Sequence, residues 1–210
     1  MAEEKSLRGF SSKYFSLFTD KNGNEWIHFF LDASEPGHSK NTKYARSELR
    51  HTENWTLSKK RRLSYTFKAF AAKENSSYTV GQIHILPDDS VLKNEKSPLL
   101  RVEIVKNQLR AKIKDYKTGK YETFLLGPYK NGDEKTVSIE TDEKNISVYI
   151  DGEKFFTKEV FCPLKNYLKV GLYPQENKGL FEMFVKNLSV EIDSTLANPI
   201  IAKIKSLDSL

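Results

Sequence analysis

Leu63-Ser64-Tyr65-Thr66-Phe67-Lys68-Ala69-Phe70 sets Leu63, Tyr65, Phe67 and Ala69 on one parity and mainly polar groups on the other. A period of two belongs to extended backbone, where successive side chains point to opposite faces of a sheet. The same alternation recurs in Leu100-Arg101-Val102-Glu103-Ile104-Val105 and over 109–113, 136–140, 146–150 and 184–192. Trp26-Ile27-His28-Phe29-Phe30-Leu31 reads as a more deeply buried strand. Between these runs stand Asn22-Gly23, Thr118-Gly119, Asn131-Gly132 and Asp151-Gly152, pairs whose tolerance of positive φ suits tight hairpins. About a dozen short strands at this spacing predict an all-β sandwich or jelly roll. The strand–helix rhythm of a parallel nucleotide-binding sheet is missing from the pattern.

The 210 residues fit one domain, expected over 1–193, followed by 194–210 as a C-terminal tail or short helix in which the alternation is lost. Segments 33–42 and 87–98 read as loops. A single cysteine, Cys162, excludes an internal disulfide and cysteine-rich zinc sites. The histidines His28, His38, His51 and His84 have no paired ligand spacing, so no metal site is expected. No run approaches the roughly 18 apolar residues of a membrane span. Met1-Ala2-Glu3-Glu4-Lys5 has no apolar segment of the secretory kind, so the chain is expected to act where it is made, or to have lost a leader and been secreted. Lys and Arg number 34 against 28 Asp and Glu, and the net charge of +6 favours a polyanionic partner. The densest basic run, Lys59-Lys60-Arg61-Arg62, is read as a solvated strand entrance.

Applied to three other segments, the two-residue period is more informative. Arg46-Ser47-Glu48-Leu49-Arg50 puts Arg46, Glu48 and Arg50 on one face. Gly81-Gln82-Ile83-His84-Ile85 pairs Gln82 with His84 opposite two isoleucines. Tyr167-Leu168-Lys169-Val170-Gly171-Leu172-Tyr173-Pro174-Gln175 sets Tyr167, Lys169, Gly171, Tyr173 and Gln175 against Leu168, Val170 and Leu172. Each segment has a core side and a side crowded with long hydrogen-bonding groups. Were the strands neighbours, those sides would merge into a cationic groove suited to a carboxylate-bearing chain, because arginine forks bind carboxylates in bidentate fashion.

These three segments are similar to the strand motifs of the alginate lyases of polysaccharide lyase family 7: Arg-Ser/Thr-Glu-Leu/Val-Arg, Gln-Ile/Val-His and Tyr-x-Lys-x-Gly-x-Tyr-x-Gln. They occur here in the family's order, and the resemblance runs from about residue 10 to residue 193. It implies a concanavalin-like β-jelly roll with a concave substrate-binding sheet. It also implies β-elimination on a uronic-acid polymer, most simply guluronate-containing alginate, giving 4,5-unsaturated ends. Carried over position by position, Arg46, Gln82 and His84 would neutralise the carboxylate in the reacting subsite, and Tyr173 would be the acid/base residue. Glu48, Arg50, Lys169, Gln175 and Tyr167 would line the groove and bind neighbouring sugars. No metal or organic cofactor, nucleic acid or membrane is implied, and a monomer is expected. The chain departs from the family pattern at His51, at Ile85 after the tripeptide and at Pro174.

The implied chemistry needs these residue types. The hydrogen on carbon 5 is barely acidic beside an anionic carboxylate, and preorganised donors around that carboxylate stabilise the enolate-like charge that develops. Arg46 and Lys169 are expected to favour the Tyr173 phenolate, whose free pKa is about 10. One tyrosine serves as base and acid when proton and leaving oxygen lie on the same side of the ring; when they lie on opposite sides, His84 becomes the base and Tyr173 the acid. The alternatives are a non-catalytic module that binds acidic polysaccharide, or a lyase acting on another polyuronate such as glucuronan. A glycoside hydrolase would need two carboxylates about 5–10 Å apart, and Glu191-Ile192-Asp193 is a poor candidate for them.

Overall fold

The computed structural model describes residues 10–35, 44–93, 95–192 and 196–199. Among them fourteen strands form, and no helix. In chain order these are β1 (Phe15–Thr19), β2 (Glu25–Asp32), β3 (Ser47–Arg50), β4 (Arg61–Ala71), β5 (Ser77–Ile85), β6 (Leu100–Val105) and β7 (Gln108–Lys114). There follow β8 (Tyr121–Pro128), β9 (Lys135–Asp142), β10 (Asn145–Ile150), β11 (Glu153–Glu159), β12 (Asn166–Pro174), β13 (Leu180–Ile192) and β14 (Leu196–Pro199). All pairings are antiparallel. One sheet runs β1-β2-β13-β4-β9-β10-β11, with β14 added against β13 beyond the end of β2, and the other runs β3-β12-β5-β6-β7-β8. The expected all-β jelly-roll class is the one that forms. Outside the described residues lie 36–43, most of the first predicted loop, and 193–195 and 200–210, most of the predicted tail.

The core lies between the two sheets because the apolar parity of each strand faces the other sheet. Phe29, Tyr65, Phe67, Met183 and Val185 from the first sheet meet Ile83, Val102, Ala111, Val170 and Leu172 from the second, all at 3% exposure or less. Burial on this scale contributes about 25 cal/mol per Å² of apolar surface removed from water. The predicted turns take the expected backbone, with φ of 81° at Gly23, 68° at Gly119, 85° at Gly132 and 89° at Gly152. Tyr129 anchors the connection from β8 to β9. Its ring stacks on Phe67 at 5.5 Å, while its hydroxyl accepts from the Ala69 N–H at 2.6 Å and donates to the Asp133 carbonyl at 3.0 Å.

The run Lys59 to Arg62 does stand at a strand entrance, but Arg61 is not solvated. Its side chain is 3% exposed and bonds Glu53 at 2.8 Å, while Arg62 lies over the Tyr149 ring. The alternation of β4 turns Arg61 inward, and the acid of the preceding loop satisfies its charge.

Candidate active site

All three motif segments fall in the second sheet, on adjacent strands. β12 lies between β3 and β5, with Lys169 opposite both Arg50 and Gln82, and Tyr167 opposite His84. Because Leu168, Val170 and Leu172 fill the core, the other parity of β12 faces outward with the polar sides of its neighbours. The expected merging of the three faces is therefore real.

Two local irregularities shape this face. Gly171 adopts a φ of 135°, and a Cβ there would lie 2.4 Å from the Ser47 carbonyl and 2.7 Å from Glu48 Cα. Only glycine lets β3 approach so closely, between Lys169 and Tyr173. One strand over, the register of β5 shifts between Thr79 and Gly81 against β6, and between Val170 and Tyr173 against β12. A bulge of this kind bends the strand and re-aims the side chains beside it.

Glu48 is the hub. Its side chain is 2% exposed, one carboxylate oxygen accepts from Gln82 Nε2 at 2.5 Å, and the other takes the Lys169 ammonium. Burial pulls the Lys169 pKa down, against the pull of Glu48 in the other direction. Gln82 is itself 1% exposed and forms part of the floor. Arg46 and Glu48 are among the charges acting on both His84 and Tyr173, so the imidazole and the phenol border one charged centre.

Burial favours the neutral form of both, which suits them to opposite tasks. His84 Nδ1 lies 2.9 Å from the Ile85 carbonyl, an acceptor, so Nδ1 carries the hydrogen and Nε2 the lone pair. Burial lowers the imidazole pKa, and the neutral form prevails at neutral pH. Its ring stacks on Tyr167 at 5.2 Å, and Arg50 covers the far side of Tyr167 with its guanidinium carbon 4.0 Å from the ring centre. Tyr173 departs from expectation. Arg46 does favour its phenolate, but burial is the larger effect and raises the pKa, so the resting group is the phenol. Lys169 is spent on Glu48.

Around Tyr173, the Arg46 guanidinium lies 5.6 Å from the ring centre and Tyr44 packs edge-on at 6.4 Å. Among the described residues no carboxylate pairs with Arg46. Gln175 does not open freely onto the groove: its amide nitrogen donates to the Tyr173 and Pro174 carbonyls, and its oxygen accepts from Arg101 Nη1 at 3.1 Å. Arg101 and Tyr44 were missed by motif reading. Arg101 sits in an ordinary alternating strand, and only its cross-strand position opposite Gln82 reveals it. Among the described residues, no three His, Cys, Asp or Glu side chains gather as a metal-ligating group.

Solved structures with the same fold include alginate lyase A1-II′, a member of polysaccharide lyase family 7. It is 23% identical, with a TM-score of 0.74 over 88% of this chain and 86% of that one. Alginate lyase PA1167 from Pseudomonas aeruginosa is 23% identical, with a TM-score of 0.72 over 89% of each chain. The marine alginate lyase AlyA1 from Zobellia galactanivorans is 22% identical, with a TM-score of 0.70 over 91% and 86%. Comparison with curated protein sequences gave no match. The family model for alginate lyase matches residues 2–192, nearly the whole chain, and on that ground the chain belongs to the alginate lyase family.

Proposed function

We propose that the chain cleaves alginate by β-elimination, preferring guluronate-containing stretches, with His84 as base and Tyr173 as acid. The observation that carries this reading is a complementary pair beside one charged centre: an imidazole whose Nδ1 hydrogen bond leaves the Nε2 lone pair free, and a phenol whose burial favours its proton further. Arg46 and the second amide hydrogen of Gln82 hold the sugar carboxylate and stabilise the enolate-like charge; each such donor contributes about 10²–10³ in rate. His84 Nε2 takes the proton from carbon 5. The carbon 4–oxygen bond breaks as a double bond forms between carbons 4 and 5, and the Tyr173 hydroxyl protonates the departing oxygen. Solvent then returns the proton from His84 to Tyr173.

Substrate stereochemistry favours guluronate. In guluronate the carbon 5 hydrogen and the carbon 4 oxygen leave from opposite faces of the ring. In mannuronate, its carbon 5 epimer, they leave from the same face. A base and an acid on different strands suit the first arrangement. Variants of A1-II′ have been solved in complex with product (GGG) and with substrate (GGMG), which agrees with a groove of this fold accepting such chains. Glu48, with both oxygens engaged, acts by holding Gln82 and Lys169, and Tyr167 by bracing the His84 ring.

The test is ultraviolet absorbance of the unsaturated product, with polyguluronate, polymannuronate, glucuronan and pectate as substrates. Polyguluronate is expected to give the fastest rise without added cofactor, and Tyr173→Phe to lose at least about 10²-fold in kcat. Binding of polyuronate with no unsaturated product from any of the four would make the chain a binding module instead.

A further inference from the structure

The outer face does not end at the three motifs. Following the register across the sheet, Arg50, Lys169, Gln82, Arg101, Lys112 and Thr123 form a single row, each opposite the next on the neighbouring strand. Strands lie about 4.8 Å apart, so Lys169 to Lys112 spans about 14 Å, the length of several sugar rings joined end to end.

The cations along this face differ in what they already hold. Lys169 is taken by Glu48, Arg110 by Glu103 at 3.0 Å, and Lys114 by Glu95 at 2.6 Å. Lys112 is not consumed in this way, and Arg101 only in part. Glu103 lies 3.9 Å from Arg101 Nε, too far for a hydrogen bond, and that nitrogen is buried without a partner. Gln175 takes only Arg101 Nη1, and among the described residues nothing bonds Nη2. Lys112 has no ion pair among the described residues, and its ammonium rests 4.5 Å above the Tyr121 ring. Glu103 offsets part of the Arg101 charge, but a guanidinium at 15% exposure that makes only one hydrogen bond is left with donors to satisfy.

We propose that the uronate groove extends across β6 and β7, and that Arg101 and Lys112 each bind the carboxylate of a sugar beyond the reacting one. The proposal rests on the lyase reading above and deepens it: the polymer lies across the strands, about one sugar to a strand, and its carboxylates meet Lys112, which has no ion pair among the described residues, and the guanidinium donors of Arg101 that Gln175 leaves open. Arg101 has a second task, since its bond to Gln175 and its effect on Tyr173 couple occupancy of the outer subsite to the acid. Lys112 touches neither, and is the cleaner probe.

The experiment compares Lys112→Gln and Arg101→Gln with the unaltered chain on guluronate oligomers of increasing length and on the polymer. Retained thermal midpoints establish that each variant folds. For the unaltered chain, kcat/KM should climb with oligomer length. In Lys112→Gln the deficit should grow with length, reaching about tenfold on the polymer, the range of one charge-assisted hydrogen bond. Arg101→Gln should show the same growth on top of a deficit already present on the shortest substrate. A deficit in Lys112→Gln that is independent of length, or no deficit, overturns the proposal. Inactivity of the unaltered chain on every uronate would instead defeat the lyase reading. Binding of polyguluronate to Tyr173→Phe, with and without Lys112→Gln, tests the subsite apart from turnover. An equal Kd in the two proteins refutes it.

Discussion

Burial acts with opposite sign on the two proton-transfer groups. For His84 the charged form is disfavoured, so its pKa falls below the ordinary 6.5, whereas for Tyr173 the neutral form is favoured and its pKa rises above 10.0. A base must be deprotonated, so activity is lost as pH falls through the lowered imidazole value. An acid must be protonated, so activity is lost as pH rises through the elevated phenol value. The kcat/KM profile on polyguluronate should therefore be flat from pH 7 to pH 10, with its acid limb below 6.5 and its basic limb above 10. A basic limb between pH 7 and 9 would refute the assignment. Glu48 makes a second prediction at this scale. Its partner Lys169 is 7% exposed, and removing one member of a buried pair leaves an uncompensated charge. Glu48→Ala should cost about 3–5 kcal/mol in denaturant unfolding, with kcat falling as Gln82 loses its anchor. The polar faces of the three segments were readable from residue type and parity, and the roles of their residues only from the resemblance. Tyr173's protonation state was not, because burial depends on Tyr44 and Arg46, which reach it through tertiary structure.

At the scale of single elements, alternation located β4, β6, β7, β9, β10 and β13, where one face is sealed and the other wet, and a nearly continuous apolar run located β2. It passed over β1, β8 and β11. These strands sit at or beside the sheet edges and are exposed through most of their length, so neither face has to be apolar and the two-residue signal fades. The turn between β6 and β7 was also hidden. Lys106 and Asn107 take positive φ of 50° and 61° without a glycine to announce it. Gly171 is the reverse case, a motif residue whose reason is visible only in the fold. Gly171→Ala would meet both a φ of 135° and the backbone of β3, and β3 carries Glu48. The variant should lose about 3 kcal/mol or more in stability, with a further drop in kcat as Glu48 is pushed off Gln82. Retention of full stability and rate would show that β3 does not need this close approach.

Across the whole molecule, the two outer faces handle positive charge differently. On the eight-stranded sheet, Lys68 and Lys186 flank Trp26 at 4.9 and 4.6 Å and share Glu134 at 3.3 and 2.8 Å. Those cations are neutralised where they stand. On the six-stranded sheet Arg46 and Lys112 have no such acid among the described residues, and Arg50 bonds a neutral amide, Asn54, at 2.9 Å. Arg46 and Lys112 thus leave positive charge on the face that bears the proton-transfer groups, where a polyanion would meet it. A field of this kind raises encounter rates with an anionic chain and is screened over about 10 Å at 0.1 M salt. Raising salt from 0.05 to 0.5 M should increase KM for polyguluronate several-fold while kcat changes little, since the buried Glu48–Lys169 pair and the His84 hydrogen bond are screened far less. The effect should be smaller for short oligomers, which present fewer carboxylates to the row. A KM insensitive to salt would mean that the unpaired cations are not where the polymer lies, whatever residues perform the chemistry.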